Sequence, residues 1–412
     1  MTPNAPPVPD SVFGHPSFVY FWFTRVASIV AYQMLTVAVG WQVYALTDSA
    51  LNLGLVGLVQ FVPALALLLV AGHVADRFDR RRIARLCQCL QALVAAGLAA
   101  GSATGWITEH AIFALVFVIG GARAFENPAM QSLLPALVPP GVLPRAVASS
   151  ASAAQTAIIV GPAAGGLLYV AGPAWTYGTC ALVFLIAVLL AGFIRYERVP
   201  RKREPATLRS VFAGLAFIRG RQAMLGAITL DMVAVLLGGA TALLPIYARD
   251  ILHIGPWGLG LLRSATAVGA LTMALYLARR PLARHAGRTM FLAVGVFGLA
   301  TIAFGLSRSF PLSFAALVIL GAADMVSVVV RASLIQLSTP DDMRGRVSAV
   351  NAMFIGTSNQ LGEFESGATA AWLGTVPSVV VGGIGTLLVV LLGMRLFPQL
   401  ARVDRLESVR PS

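Results

Sequence analysis

The chain is short of charge. Asp, Glu, Lys and Arg make up 11% of its 412 residues, against about a quarter in soluble domains. Its only lysine is Lys202, so no G-x-x-x-x-G-K-[ST] loop exists and a Walker-type ATP site is excluded. Cysteine is equally scarce. Cys87, Cys89 and Cys180 offer no disulfide or metal framework and read as small packing residues. H-E-x-x-H, C-x-x-C and G-x-S-x-G are missing, and the histidines are scattered without ligand spacing. No metal, cofactor or enzymatic chemistry is expected. The first 16 residues hold no Lys or Arg and so lack the basic start of a secretory signal.

What the chain has is apolar surface. Hydrophobic residues reach 58% and mean hydropathy is +0.81. So apolar a chain cannot cover its exterior with polar groups and needs a bilayer as its second solvent. Breaking it at charge clusters and Pro/Gly turns predicts twelve spans. They are 17–46, 52–74, 83–104, 111–137, 145–171 and 175–194, then 223–248, 257–278, 289–306, 311–338, 345–372 and 377–397. Continuous runs of this length are helices, because a barrel would show alternating segments of about ten residues. The fold expected is an all-α membrane protein with twelve transmembrane helices in two pseudo-symmetric six-helix bundles.

The net charge of +13 is not the mark of a nucleic-acid partner, because the basic residues cluster between apolar runs. With residue 1 inside, 24 Lys and Arg fall on the inner side and only Arg249 and Arg308 outside. That places both termini in the cytoplasm. The expected organisation is an inner tail (1–16), a first bundle (17–194), a basic linker (195–222), a second bundle (223–397) and a final tail (398–412). In the linker, Leu208, Val211, Phe212, Leu215 and Ile218 fall at helical spacing and predict an amphipathic helix on the inner membrane face. Gly121-Ala122 recurs as Gly321-Ala322, Pro140 as Pro340 and Val147 as Val347, all offset by 200. The common offset suggests a six-plus-six duplication.

Four stretches carry motifs. Gly72-His-Val-Ala-Asp76-Arg77-Phe-Asp79-Arg80-Arg81 joins spans 2 and 3; Gly72 permits a tight turn and close approach, and Asp76 can accept from Arg77 or cap a helix. Ala157-Ile-Ile-Val-Gly161-Pro162-Ala-Ala-Gly165-Gly166 lies in span 5, where small residues allow close helix packing and Pro162 weakens the helix. Arg123 to Pro135 and Asp341 to Val347 complete the set. The first resembles the G-x-L-A-D-R-x-G-R-R signature of the major facilitator superfamily, with Val74 for Leu and Asp79 for the second Gly. The second resembles that superfamily's exporter motif G-x-x-x-G-P-x-x-G-G, with Ala157 for the first Gly. The last two resemble the branch that holds siderophore (enterobactin) exporters and macrolide-efflux proteins. The resemblance implies a gate at Gly72, Asp76, Arg77, Arg80 and Arg81, and an antiporter-motif helix at Gly161, Pro162, Gly165 and Gly166.

Nine ionisable residues fall inside spans: Arg25, Arg123, Glu126, Asp231, Arg263, Asp324, Arg331, Glu363 and Glu365. Each costs about 2.5–3.5 kcal/mol at a helix centre, so each should face the interior, pair, or line a wet cavity. Arg25, Ser28, Tyr32 and Thr36 form one stripe; Arg123, Glu126 and Asn127 another; Asp324, Ser327 and Arg331 a third; Asn359, Glu363 and Ser366 a fourth. All point to one polar cavity. Asp231, followed by Val233, Ala234 and Val235, reads as an acid in apolar surroundings and leads the proton-coupling candidates, ahead of Glu126, Asp324 and Glu363. Glu126 is expected to pair with Arg123. Arg25, Tyr32, Arg123, Asn127 and Arg331 are the substrate-binding candidates, with Phe21, Trp22 and Phe125 as further stacking groups. Arg263 and Arg25 read as residues that snorkel from span ends.

These readings imply a secondary transporter, expected as a monomer in lipid, that exports a small organic molecule in exchange for protons across a bacterial cytoplasmic membrane. A catecholate siderophore is the cargo the resemblance suggests. Efflux of macrolides or other amphiphilic drugs is the second reading, and a non-transporting sensor or assembly protein on the same scaffold the third.

Overall fold

A computed structural model describes residues 11–196, 208–282 and 284–404. Among them there is helix and no strand. The first seven helices are α1 (Pro16–Thr47), α2 (Ala50–Ala66), α3 (Leu68–Arg77), α4 (Arg80–Thr104), α5 (Glu109–Leu133), α6 (Leu143–Tyr169) and α7 (Pro173–Phe193). After α8 (Leu208–Arg219) come α9 (Gln222–Leu237), the short turn α10 (Leu244–Ile246), α11 (Gly255–Arg279), α12 (Ala286–Leu306), α13 (Phe310–Ser338), α14 (Asp341–Leu373), α15 (Thr375–Leu396) and α16 (Pro398–Ala401). Ten segments among the described residues are long and apolar enough to cross a membrane. The other two predicted spans are filled differently. Span 2 is divided at Leu67 into α2 and α3, four residues after Pro63 removes an N–H from the ladder. Span 11 is α14, 33 residues long but polar along much of its length.

Local chemistry sets the ends. Asp79 caps α4 by accepting from the N–H groups of Arg81 (2.9 Å) and Arg82 (3.2 Å), Ser49 caps α2 and Thr108 caps α5. Pro is the first residue of α1, α7 and α16. Between α6 and α7, Gly172 has φ +114°, which makes the break at 171–174 real despite its lack of charge. The seventh span is interrupted. After α9 the chain runs through Gly238-Gly239, a 3₁₀ turn (Ala240–Leu243), α10 and a π turn (Tyr247–Ile251).

Within the first set α1 packs on α6 and α7, α4 on α5 and α7, and α2 on α5. Within the second α11 packs on α13, α12 on α13 and α15, and α9 on α14 and α15. Gly120 of α5 faces the Gln60 carbonyl of α2, where a Cβ would come within 2.2 Å. Gly321 of α13 faces the Thr266 carbonyl of α11 at 1.9 Å in the same way. The internal repeat is therefore visible in packing, but it matches Gly321 with Gly120, one residue from the Gly121 that the constant offset picks out.

Three expectations about the flanking segments change. Val12 is buried with Phe18, Phe21, Leu134 and Val142, so residues 11–15 dock on the helices and are no free tail. The end of the chain docks as well: Leu400 is buried, and the Asp404 carboxylate accepts from the His285 N–H (2.9 Å). Residues 1–10, 197–207 and 405–412 of the predicted tails and linker lie outside the described residues. In the linker helix α8, Ile218 is fully buried with Met224, Ile228, Ile335, Val347 and Val350. Phe212 is exposed, and a Cβ on Gly214 would meet the Arg346 carbonyl at 2.9 Å. The helix is thus fastened to α14 along one side and leaves only part of its apolar stripe for lipid.

Candidate functional site

Two seams join the first set of helices to the second, and both are built on glycine. In one, α6 crosses α11: a Cβ on Gly166 would lie 2.4 Å from the Pro256 carbonyl and 2.9 Å from Gly260 Cα. Gly260 reciprocally faces the Pro162 carbonyl, and Ser264 Oγ donates to the Ile159 carbonyl at 2.6 Å. In the other, α2 crosses α14: a Cβ on Gly367 would lie 2.7 Å from Gly54 Cα, and one on Gly57 would meet the Glu363 carboxylate. The exporter-motif residues divide their work. Gly166 and Pro162 make the seam to α11, whereas Gly161 and Gly165 face Gln33 and Met34 of α1. Beyond the seams, Tyr44 of α1 donates to the Asp250 carboxylate, and Arg249 pairs with Asp48 at 2.7 Å. The two sets therefore meet at the end that holds Tyr44 and Asp250.

On the first set of helices, among α1, α5 and α6, lies a cavity of about 270 Å³, lined by Arg25, Ser28, Tyr32, Gln33, Arg123, Glu126, Asn127 and Gln131 among others. A second cavity of about 180 Å³ sits nearer the closed end and shares Tyr32 and Gln33 with the first. Arg263, Gln360 and Glu363 enter it from the second set of helices and Gln60 and Gly57 from the first. Tyr32 stands at the joint. The Arg123 guanidinium lies 3.6 Å from its ring centroid, and its hydroxyl donates to Gln60 Oε1 at 3.0 Å.

Glu126 is 3% exposed and holds three hydrogen bonds. Its Oε1 accepts from Ser28 Oγ (2.7 Å) and Gln88 Nε2 (3.0 Å), and its Oε2 from Gln91 Nε2 (2.7 Å). All three donors are neutral. The expected ion pair with Arg123 is not formed, because Arg123 is drawn onto the Tyr32 ring while the two glutamines hold the carboxylate. Asp231 departs further from expectation. It is buried, but Ser327 and the Arg331 guanidinium donate to it, so its neighbours across the bundle are polar and charged. Arg331 is consequently spent on Asp231 and lines neither cavity, which removes it from the substrate-binding set.

The remaining candidates sort by place. Arg25 donates to Ser150 Oγ at 2.8 Å and faces the larger cavity, so it does not snorkel; Asn127 lines the same cavity. Asp324 shares a small cleft with Asp231, Val235 and Phe297, away from both cavities. Of the stripe on α14 only Glu363 lines one of the two cavities; Asn359 is exposed, and Ser366 is buried with its carbonyl accepting from Ser378 Oγ of α15. Phe21 is packed against Phe18 and Trp22 against Phe13 and Phe23, and Phe125 packs beside Ile83 and Ala129. Tyr32 alone of the four aromatics lines the cavities. In the gate motif, Arg80 donates to the Ser132 carbonyl and Arg81 to the Ile194 carbonyl, both at 2.8 Å. Gly72 makes no turn: it lies inside α3, with open space beside it. The Asp76 side chain lies outside the described residues. Asp79 is the capping acid, and Tyr196 also donates to it, at 3.1 Å. Burial beside Asp79 pushes the Tyr196 phenol above its ordinary range.

Sequence reasoning placed Arg263 at a span end and passed over Gln60, Gln88, Gln91 and Gln360. A signal was present for three of the glutamines: Gln60, Gln88 and Gln91 interrupt apolar runs, and Gln88 and Gln91 stand three apart, on one face of α4.

A polar cavity where two related sets of membrane-crossing helices meet, with the sets joined at one end through Tyr44 and Asp250, defines a membrane transporter of the major facilitator type. The chain belongs to the transmembrane secretion effector family, whose profile matches residues 9–410. It is 28% identical over 401 residues to the enterobactin exporter EntS of Citrobacter koseri, covering 94% of this chain and 93% of the relative. EntS of Escherichia coli O1:K1 is 28% identical over 404 residues, covering 96% and 95%. Solved structures share the fold at low identity. The nucleoside transporter NupG matches with TM-score 0.70 at 13% identity, covering 92% of this chain and 99% of NupG. A bacterial homologue of ferroportin in the inward-facing state matches with TM-score 0.70 at 15%, covering 95% and 100%.

Proposed function

We propose that this transporter exports a small organic molecule, a siderophore, from the bacterial cytoplasm in exchange for protons, with both termini inside. The observation that carries the reading is the larger cavity, where Arg25 and Arg123 present cations beside the Tyr32 ring and the Glu126 carboxylate. Two arginines beside an aromatic ring suit a phenolic ligand that is partly anionic. A neutral or cationic drug would gain no charge pairing from the two guanidinium groups, which favours siderophore over drug.

Glu126 is the proton carrier in this reading, ahead of Asp231. Adding a proton to Asp231 would leave buried Arg331 without its partner, at a cost of several kcal/mol. Glu126 has only neutral donors and can take the proton without orphaning a cation. Exchange needs ligand and proton to exclude each other. A ligand hydroxyl that donates to the Glu126 carboxylate binds when that carboxylate is ionised and leaves when a proton takes its place. In this reading the cargo enters from the arginine-rich inner side.

The test uses inverted membrane vesicles containing the full chain, an imposed pH gradient, acid inside, and radiolabelled enterobactin. Concentrative uptake that collapses with a protonophore, and that Glu126→Gln abolishes, supports the reading. Binding without uptake would assign the chain a sensing role. Uptake of a labelled macrolide but not enterobactin would make it a drug exporter.

A further inference from the structure

The smaller cavity holds an unsatisfied pair of charges that the proposed exchange does not use. Arg263 of α11 and Glu363 of α14 both line it. They are within electrostatic reach of each other but form no ion pair, and neither makes a hydrogen bond among the described residues. Gln360, one turn from Glu363, leaves its Oε1 buried without a partner in the same cavity. Arg263, with five donors, and Glu363, with two acceptor oxygens, are each half-buried in the cavity wall with their hydrogen-bonding capacity unused. Glycine makes the arrangement possible. A Cβ on Gly57 would come within 2.5 Å of Glu363 Oε2 and 3.1 Å of Gln360 Oε1. The first set of helices is thus bare where the second offers its charges.

The pair is electrically neutral as a whole, which restricts the ligand. A simple anion would satisfy Arg263 and be repelled by Glu363; a simple cation would do the reverse. A group with a carboxylate and an ammonium on neighbouring atoms satisfies both. The rest of the lining combines polar groups, Tyr32, Gln33, Thr36 and Gln60, with an apolar wall that includes Leu35, Val39, Leu53 and Val116. The volume of about 180 Å³ falls below the range of roughly 300–1,000 Å³ usual for drug-sized ligands. The structure assigns this cavity as a site for a zwitterionic α-amino acid, its carboxylate on Arg263, its ammonium on Glu363 and Gln360 Oε1, and its side chain on the apolar wall. The site accepts a free amino acid or the amino-acid end of a larger cargo, and it stands whether or not the cargo is a siderophore.

Binding to the purified full chain in lipid nanodiscs tests the assignment, with labelled L-phenylalanine as probe and 3-phenylpropionate and phenethylamine as competitors. L-phenylalanine binds saturably, and each competitor, lacking one charge, is at least tenfold weaker, as expected for a lost charged hydrogen bond. Glu363→Gln weakens L-phenylalanine at least tenfold and leaves 3-phenylpropionate within about twofold. Arg263→Gln weakens L-phenylalanine equally and spares phenethylamine. The comparison of the three ligands on the unaltered protein stands even if either variant fails to fold. Absence of saturable L-phenylalanine binding, competitors as strong as the amino acid, or variants that weaken all three ligands alike would overturn it. Enterobactin uptake in vesicles is read separately, so either conclusion can fail alone.

Discussion

Asp250→Ala should shift the protein toward the state open at its present closed end. Tyr44 donates to the Asp250 carboxylate across the two sets of helices, and Arg249 lies 3.6 Å from Asp250 while pairing with Asp48. A hydrogen bond to a charged group contributes about 1.5–3 kcal/mol net. The Arg249–Asp48 pair is more exposed, at 38% and 69%, and exposed pairs contribute about 0.2–1 kcal/mol. Removing Asp250 should therefore move the equilibrium by about 2 kcal/mol, roughly thirtyfold. Tyr44→Phe should reproduce most of this and Asp48→Ala little. The assay is modification of Thr36→Cys, which faces the smaller cavity, by an impermeant thiol reagent added to whole cells. Cys87, Cys89 and Cys180 are replaced beforehand. Labelling should accelerate about thirtyfold in Asp250→Ala. A change under threefold, or a larger effect from Asp48→Ala, would refute the argument that this cluster holds the end shut.

Four more outcomes are expected. Asp231→Asn should destabilise the detergent-solubilised protein by about 3–5 kcal/mol because Arg331 loses its counter-ion, and Asp231→Leu with Arg331→Met should recover most of it; equal melting temperatures for single and double variants would show the pair is not the cause. Glu126→Gln should stop exchange, and it turns an amide N–H₂ toward one of three donors, so about 1–3 kcal/mol of stability is lost as well; a protein still driven by the pH gradient would remove Glu126 from coupling. Asp79→Ala should cost about 0.5–2 kcal/mol through the lost cap of α4, with Asp79→Asn near the original, as read from denaturation midpoints. Gly166→Val should keep α6 and α11 apart, where even a Cβ would lie 2.4 Å from a carbonyl; transport should fall at least tenfold while labelling of Thr36→Cys rises, and unchanged labelling would contradict the seam.

The helices were legible because two solvents write themselves into the chain. Apolar runs, capping residues and prolines mark where each enters and leaves the bilayer, and the expected ends fall within a few residues of α1, α6, α7 and α13. What lay hidden depends on packing. The division at Leu67 follows Pro63 but has no charge or glycine beside it, so span 2 read as one run. Gly72 looked like a turn because arginines follow it, yet α3 continues to Arg77 before Asp79 caps the next helix. At the site, residues that dislike hydrocarbon could be named, but their partners could not. Asp231 looked isolated among valines because Arg331 is a hundred positions away in sequence and adjacent only once α9 meets α13. Arg263 read as a residue reaching for the interface because no local pattern says which face of α11 meets α1.

The glycine seams separate two tasks that most binding proteins must share. Where α6 meets α11 the facing surfaces are largely bare main chain, and where α2 meets α14 Gly54 and Gly367 meet the same way beside Glu363 and Gln360. The polar side chains of the larger cavity, such as Arg25, Arg123 and Gln131, lie off both contacts. Substitutions among them can therefore change that cavity's lining while the joints between the two sets stay as they are.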